Sequence, residues 1–271
     1  MIMRKLRVAT RPSLLAYTQT EQVVALLKKA NPECDFEIIK FSTHGDRVTN
    51  KPLTSFGGTG VFVKELENAI IEGKADFAVH SLKDVPSIQP DELLLVSYPK
   101  REDPRDVLLL TDNKDLSNLN DNCIIGTGSP RRILQLSAMF PNAVFKDLRG
   151  NINTRIAKLQ DREYDAIVLA AAGLKRLNIE ISSDSYLPIE KCLPAVGQAA
   201  LALECRKDDT KVVSLLRSIN DIETEIAVTA ERSFMNRIGG GCKFPLAAYA
   251  FVTDNIITLE TLLGNHNTNQ I

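Results

Sequence analysis

The stretch GTGSPRR (126–132) closes an apolar run with a glycine-rich turn and opens a helical pattern on two adjacent arginines, Arg131 and Arg132. Ser129 stands at a favourable N-cap position, and Pro130 at the first helical position, where no N–H is needed. Backbone N–H groups at such a start, joined by two guanidiniums, bind phosphate or carboxylate. The plainer alternative is a capped helix with two solvated arginines. The surroundings are basic as well: from Gly126 to Arg162, seven lysines and arginines face two aspartates in a chain of net charge −1. Arg149 and Arg155 in LRGNINTR (148–155) fall at a strand end and in the first turns of a helix. Arg11 and Arg176 fall at similar strand ends. The helix dipole disfavours cations near its N-terminus, so cations gathered there point to an anionic ligand with several carboxylates or phosphates.

Two further segments bear chemistry. In AVHSLKDVP (78–86) an apolar strand ends on Lys83 and Asp84 before a proline. The pair is either a polar turn or an acid kept ionised among bases, able to stabilise a developing cation. In IGGGCKFP (238–245) three glycines precede Cys242, with Lys243 beside it. That polar, pliable setting favours an exposed thiol with thiolate character, whereas Cys34, Cys123, Cys192 and Cys205 read as small buried hydrophobes. FGGTGVFVKELE (56–67) lacks the lysine and hydroxyl pattern of a P-loop. With residues 42–55 it reads as a polar lid.

The elements that position these residues alternate. Strands are expected at 6–10, 36–41, 76–81 and 93–98, with helices at 14–29 and 62–73. The rhythm restarts with strands at 123–127, 143–148 and 165–172 and helices at 130–140 and 153–162. A strand at 200–205, helices at 209–218 and 221–238, and a hairpin turning at Asp254-Asn255 follow. This is an α/β pattern with largely parallel strands and a smaller α+β end. Charged KREDPRD (100–106) marks the seam between two series.

Composition narrows the classes. A hydrophobic fraction of 44% over 271 residues supports a sizeable core and argues against disorder. Near-zero net charge offers no global field for nucleic acid or anionic membrane. The five cysteines are scattered and the three histidines form no HExxH, so neither a disulfide framework nor a metal site is expected. No apolar leader opens the sequence, and its longest apolar run, 166–172, is far below the ~20 residues that span a bilayer. A soluble, cytoplasmic protein is expected.

In order along the chain, ATRPSLLAYTQ, FVKELE, AVHSLKDVP, REDPRD, GTGSPRR, LRGNINTR, YDAIVLAAAGLKRL, LPAVGQAAL, AERSF and GGGCKFP resemble the hydroxymethylbilane synthase (porphobilinogen deaminase) family. The resemblance covers nearly the whole sequence. It implies a fold of two doubly wound lobes like periplasmic binding proteins plus a small α+β domain. The implied division is 1–99 with 200–218, then 105–194 with the basic cleft, then 221–271 carrying the cofactor attachment. It implies a dipyrromethane cofactor held by a thioether to Cys242, and a monomeric transferase that joins four porphobilinogen molecules into a linear tetrapyrrole for porphyrin and haem synthesis. By the same resemblance Asp84 is the catalytic acid. Lys83, Thr127, Ser129, Arg131, Arg132, Arg149 and Arg155 hold cofactor or chain, while Arg11, Ser13, Phe62, Arg176 and Gln198 lie on the substrate side.

Three departures from the family pattern stand out. Ser55 and Thr59 replace the usual lid lysines, Gly197-Gln198-Ala199 replaces GQG, and the sequence stops at Ile271, implying a shortened third domain. Two other classes compete. A solute-binding module of the same architecture would bind anions without chemistry, and normally carries a secretion signal. A nucleic-acid binder would use the basic stretch, but aromatic residues are only 6% of the chain and tryptophan is absent, leaving few stacking platforms.

Overall fold

The computed structural model describes residues 5–42, 63–111, 119–120, 122–239 and 245–264. Cys242, Lys243, Phe62, Ser55 and Thr59 lie outside these residues, as does most of the expected lid.

The first series gives β1 (Leu6–Thr10), α1 (Leu14–Ala30), β2 (Phe36–Lys40), α2 (Lys64–Ile71), β3 (Phe77–Ser81) and β4 (Leu93–Ser97). The second gives β5 (Asp106–Leu110), β6 (Ile124–Gly126), α3 (Pro130–Met139), β7 (Val144–Lys146), α4 (Ile152–Gln160), β8 (Ala166–Ala170) and α5 (Ala171–Arg176). Then come β9 (Leu201–Arg206), α6 (Thr210–Arg217), α7 (Ile222–Arg237), β10 (Leu246–Thr253) and β11 (Ile256–Leu263).

Three sheets result. The first has the order β2-β1-β3-β9-β4 and the second β5-β8-β6-β7, while β10 and β11 form a hairpin. Both larger sheets are mixed, but as expected most strands run one way, with β9 and β5 the exceptions. β9 runs antiparallel to β3 and β4, and β5 runs antiparallel to β8. Alternating strands and helices reveal burial but not direction. Only the path of the chain, returning from the second sheet to insert β9 into the first, sets it. β5 is an additional strand that the apolar pattern does not announce, because its first residue, Asp106, closes the charged seam.

Each of the two larger sheets is covered on both faces. On the first, Val8, Phe77 and Leu203 pack against Val23 and Leu27 of α1, while Ala9 and Ala78 meet Leu66 and Ile70 of α2. On the second, Ile125 and Val168 pack with Leu136 of α3, and Ile167 and Leu169 with Leu159 of α4 and Leu174 of α5. In the hairpin, Asp254 and Asn255 have φ of 52° and 61°, the paired positive angles of a two-residue turn that Asp and Asn tolerate. Helix α7 packs on β10, whose Ala247, Ala248 and Ala250 are small enough for close approach and are buried.

Candidate active site

The carboxyl end of β3 runs into a single 3-10 turn, Leu82–Asp84. Leu82 is buried and anchors the turn, leaving Lys83 and Asp84 exposed. Gly197, with φ of 68°, approaches so closely that a Cβ there would meet Leu82 Cγ at 2.7 Å, so only glycine fits both the angle and the contact. Asp84 lines a cleft with Arg11, Gln19, His80 and Ser81, between the starts of α1 and α2. Lys83 is open to solvent on one side, yet desolvation pushes its ammonium down to about 8. Arg132 and Arg131 reinforce the shift, and Asp84 and Asp106 oppose it. The turn of the first sheet therefore lies within electrostatic reach of the arginines of the second.

Those arginines are not solvated. Arg131 and Arg132 are buried, and each donates from a terminal guanidinium nitrogen to the fully buried carboxylate of Asp106, at 2.7 Å in both cases. Arg131 also donates to the Leu193 carbonyl at 2.6 Å, and Arg132 to the Val168 carbonyl at 2.9 Å. Two cations on one anion leave a net positive charge at the helix start. The arginines hold the Asp106 carboxyl far below the ordinary carboxylate range against the opposing effect of burial. Cys192, with Sγ 3.6 Å from Asp106 Oδ2, is pushed up to about 11 by burial and by that carboxylate. Its thiol is inert at neutral pH.

The remaining residues of the expected site divide into two groups. Some are tied into local structure. Ser13 caps α1 by accepting from the Ala16 N–H at 3.3 Å. Thr127 is buried, and its hydroxyl accepts from the Ser129 N–H at 3.2 Å. Gln198 is buried, and its amide donates to Asp106 at 3.0 Å and to the Pro104 carbonyl at 2.7 Å. Others sit at helix and strand ends. Ser129 occupies the N-cap of α3 but makes no side-chain cap hydrogen bond, contrary to its expected capping role. Arg149 donates to Asp147 at 2.6 Å and Arg155 to the Gly150 carbonyl at 2.8 Å. Burial lowers Arg155, reinforced by Arg132 and Arg149 and opposed by Asp147 and Asp84. Arg176 donates to the Ala199 carbonyl at 2.7 Å and is lowered to about 10 by burial, against the pull of Glu102.

Two organising acids escaped the sequence reading. Asp106 is one. The other is Glu231 on α7, fully buried, which pairs with Arg101 and accepts from the N–H groups of Gly197 at 2.7 Å and Ala250 at 2.9 Å. It joins the segment between the sheets, the Gly197 loop and the hairpin. Its one legible signal was an acid on the apolar side of a long helix.

The site fits an acidic ligand. Arg132 Nε is buried without a hydrogen-bond partner among the described residues, at a helix start already carrying excess positive charge. No group of three or more His, Cys, Asp or Glu among the described residues is arranged to hold a metal ion.

Fold and site together define an α/β protein of two larger sheets and a hairpin, with a carboxylate-bearing cleft and a net-positive buried arginine cluster suited to an anionic ligand. The family model "Porphobilinogen deaminase, dipyromethane cofactor binding domain" matches residues 6–214, and "Porphobilinogen deaminase, C-terminal domain" matches 225–271. A porphobilinogen deaminase of Brevibacillus brevis is 48% identical over 99% of this chain and 87% of its own length. One of Geobacillus kaustophilus is 47% identical over 97% and 85%. The chain belongs to the porphobilinogen deaminase family. Among solved structures, the periplasmic VFT2 domain of Bordetella pertussis BvgS is 18% identical with a TM-score of 0.47, covering 84% of this chain and 92% of that one.

Proposed function

We propose that the cleft joins four porphobilinogen molecules head to tail into the linear tetrapyrrole hydroxymethylbilane, releasing ammonia at each addition, with Asp84 as the catalytic carboxylate. The observation that carries this reading is the placement of Asp84 at the cleft beside Arg11, next to Lys83 and within electrostatic reach of Arg155. Loss of ammonia from porphobilinogen leaves an electron-deficient azafulvenium-type cation. A fixed anion there stabilises that charge more than the neutral ground state.

Each pyrrole carries an acetate and a propionate, so the bound chain is a polyanion. Lys83, Thr127, Ser129, Arg131, Arg132, Arg149 and Arg155 would hold the dipyrromethane, and Arg11, Ser13, Phe62, Arg176 and Gln198 the incoming monomer. Bound by a thioether to Cys242, the dipyrromethane supplies the covalent primer for growth. Asp106 fixes the two helix-start guanidiniums so that their remaining N–H groups are oriented before ligand arrives. Gln198, buried against Asp106, acts on the substrate side through that carboxylate.

Sheet membership supports dividing the chain into 1–99 with 200–218, 105–194, and 221–271, since β9 completes the first sheet. No helix of the described residues is long and apolar enough to cross a membrane. We read the protein as a cytoplasmic monomer whose partner is its small-molecule substrate, not nucleic acid or membrane.

The test is Asp84→Asn, first shown by intact mass to carry its cofactor. Single-turnover ammonia release should fall by ~10²–10³. A rate within about threefold of the parent, under ~0.7 kcal/mol of barrier, would make Asp84 a turn residue only.

A further inference from the structure

Beneath the same cleft lies a buried group that the roles above leave unused. His80, on β3, is 4% exposed and lines the cleft with Arg11, Gln19 and Asp84. Its Nε2 lies 2.9 Å from Glu204 Oε2. Glu204, on β9, is fully buried, and its Oε1 has no hydrogen-bond partner among the described residues. Glu67 of α2 is buried nearby. Burial and the charge of Glu204 push its carboxyl up to about 7, against His80 and Lys64. The charged groups around His80 are thus Glu204 from β9, Glu67 and Lys64 from α2, Asp84 from the 3-10 turn and Arg11 from the end of β1. Arg232 of α7 also acts on Glu204. Buried acids oppose folding unless paired, and clusters of them beside a cleft mark functional sites.

Each addition has a proton to dispose of. The electron-deficient methylene carbon bonds to the free α-carbon of the neighbouring pyrrole, forming a C–C bond. The α C–H bond then breaks, its electron pair restores the aromatic ring, and the proton must be taken up. With the released ammonia, it leaves overall as ammonium. Arginines cannot accept it, being always protonated. Asp84 is needed as an anion throughout.

We infer that His80, oriented and charge-compensated by Glu204, accepts the proton lost from the pyrrole α-carbon at each condensation. Glu204 fixes the ring through Nε2 and stabilises the imidazolium that forms. The second ring nitrogen, Nδ1, is the one that receives the proton, and it returns it to solvent before the next addition.

The inference rests on the porphobilinogen reading, which the parent chain's own turnover tests separately. His80→Gln separates proton transfer from packing, because its amide reaches the Nε2 position and can keep the Glu204 hydrogen bond but takes up no proton. In protein shown by mass to be loaded, and with unchanged thermal denaturation, each addition should slow by on the order of 10² or more. With porphobilinogen deuterated at its free α-carbon, every addition after the first, in which the bound terminal pyrrole carries the label, should then reveal a primary isotope effect absent from the parent. Independently of turnover, ¹⁵N-histidine NMR should show one of the chain's three imidazoles, absent in His80→Gln, changing protonation over the pH range in which the rate changes. A loaded His80→Gln within threefold of the parent, a slow one without an isotope effect, or a His80 imidazole that does not titrate there would overturn it. If His80→Gln does not fold, Glu204→Gln decides by the same readouts.

Discussion

Asp106 Oδ2 and a terminal guanidinium nitrogen of Arg131 lie 2.7 Å apart with both side chains buried, and Arg132 meets the other oxygen of the same carboxylate. One residue at the start of β5 thereby holds the first turn of α3 against its own dipole, which repels cations. Losing the anion would leave two uncompensated buried guanidiniums. Asp106→Ala should therefore cost ~3–5 kcal/mol, read by urea denaturation, and the surviving protein should purify largely without cofactor. Denaturation indistinguishable from the parent would mean the arginines find other partners.

Arg132→Leu separates ligand binding from fold. Arg131 and Gln198 remain on Asp106, so the variant should lose ~1–3 kcal/mol from the stranded Asp106 oxygen and Val168 carbonyl, less than Asp106→Ala, and still fold. The lost charge-assisted contact to a ligand carboxylate, ~1.5–3 kcal/mol, weakens binding about tenfold or more. The expected product is folded apo-protein by intact mass. Full loading with normal activity would contradict the assignment.

Much of this was readable beforehand, and the rest had physical reasons to stay hidden. The anchored turn at Lys83–Asp84, the proline-led start of α3 and the Asp254-Asn255 hairpin follow from local chemistry, which a window of ten residues contains. Asp106 looked like one more charge in a surface seam, because its partners lie 25 and 26 residues away. Glu204 meets His80 across 124 residues, and alternation of apolar residues says nothing of such pairings. The buried state of Arg131 and Arg132 was hidden for the same reason: a guanidinium enters a core only when its counter-ion is already there.

Glu231→Ala should destabilise by ~3–5 kcal/mol, since it strands Arg101 and two buried N–H groups. Limited proteolysis should then release the hairpin first, because Glu231 is its tie to Gly197 and Arg101. Unaltered proteolysis would show the packing of α7 on β10 to be sufficient.

Lys83 gives a pH signature. Its pKa is lowered to about 8 from a usual 10.5. Between these values the unfolded chain binds a proton that the folded chain does not, so this group makes stability rise with pH across that window. Affinity for an acidic ligand goes the other way, since the attraction is lost as pH rises through about 8. Assembly of the apo-protein with its dipyrromethane should slow above that pH, and Lys83→Gln should flatten the decline. A parallel decline in both would place the titration elsewhere.

The proposed attachment residue is Cys242. Cys242→Ala should purify lighter than the parent by two linked pyrrole units beyond the substitution itself. Peptide mapping that found the adduct on Cys34, Cys123, Cys192 or Cys205 would contradict that site.

The most direct test of the central claim is the intact mass of the purified protein after brief exposure to limiting porphobilinogen. A cleft that joins these molecules predicts a ladder of discrete species, each heavier than the last by one porphobilinogen less ammonia, which collapses to the starting mass as the tetrapyrrole is released. A single unchanged mass, with porphobilinogen left unconsumed, would contradict it.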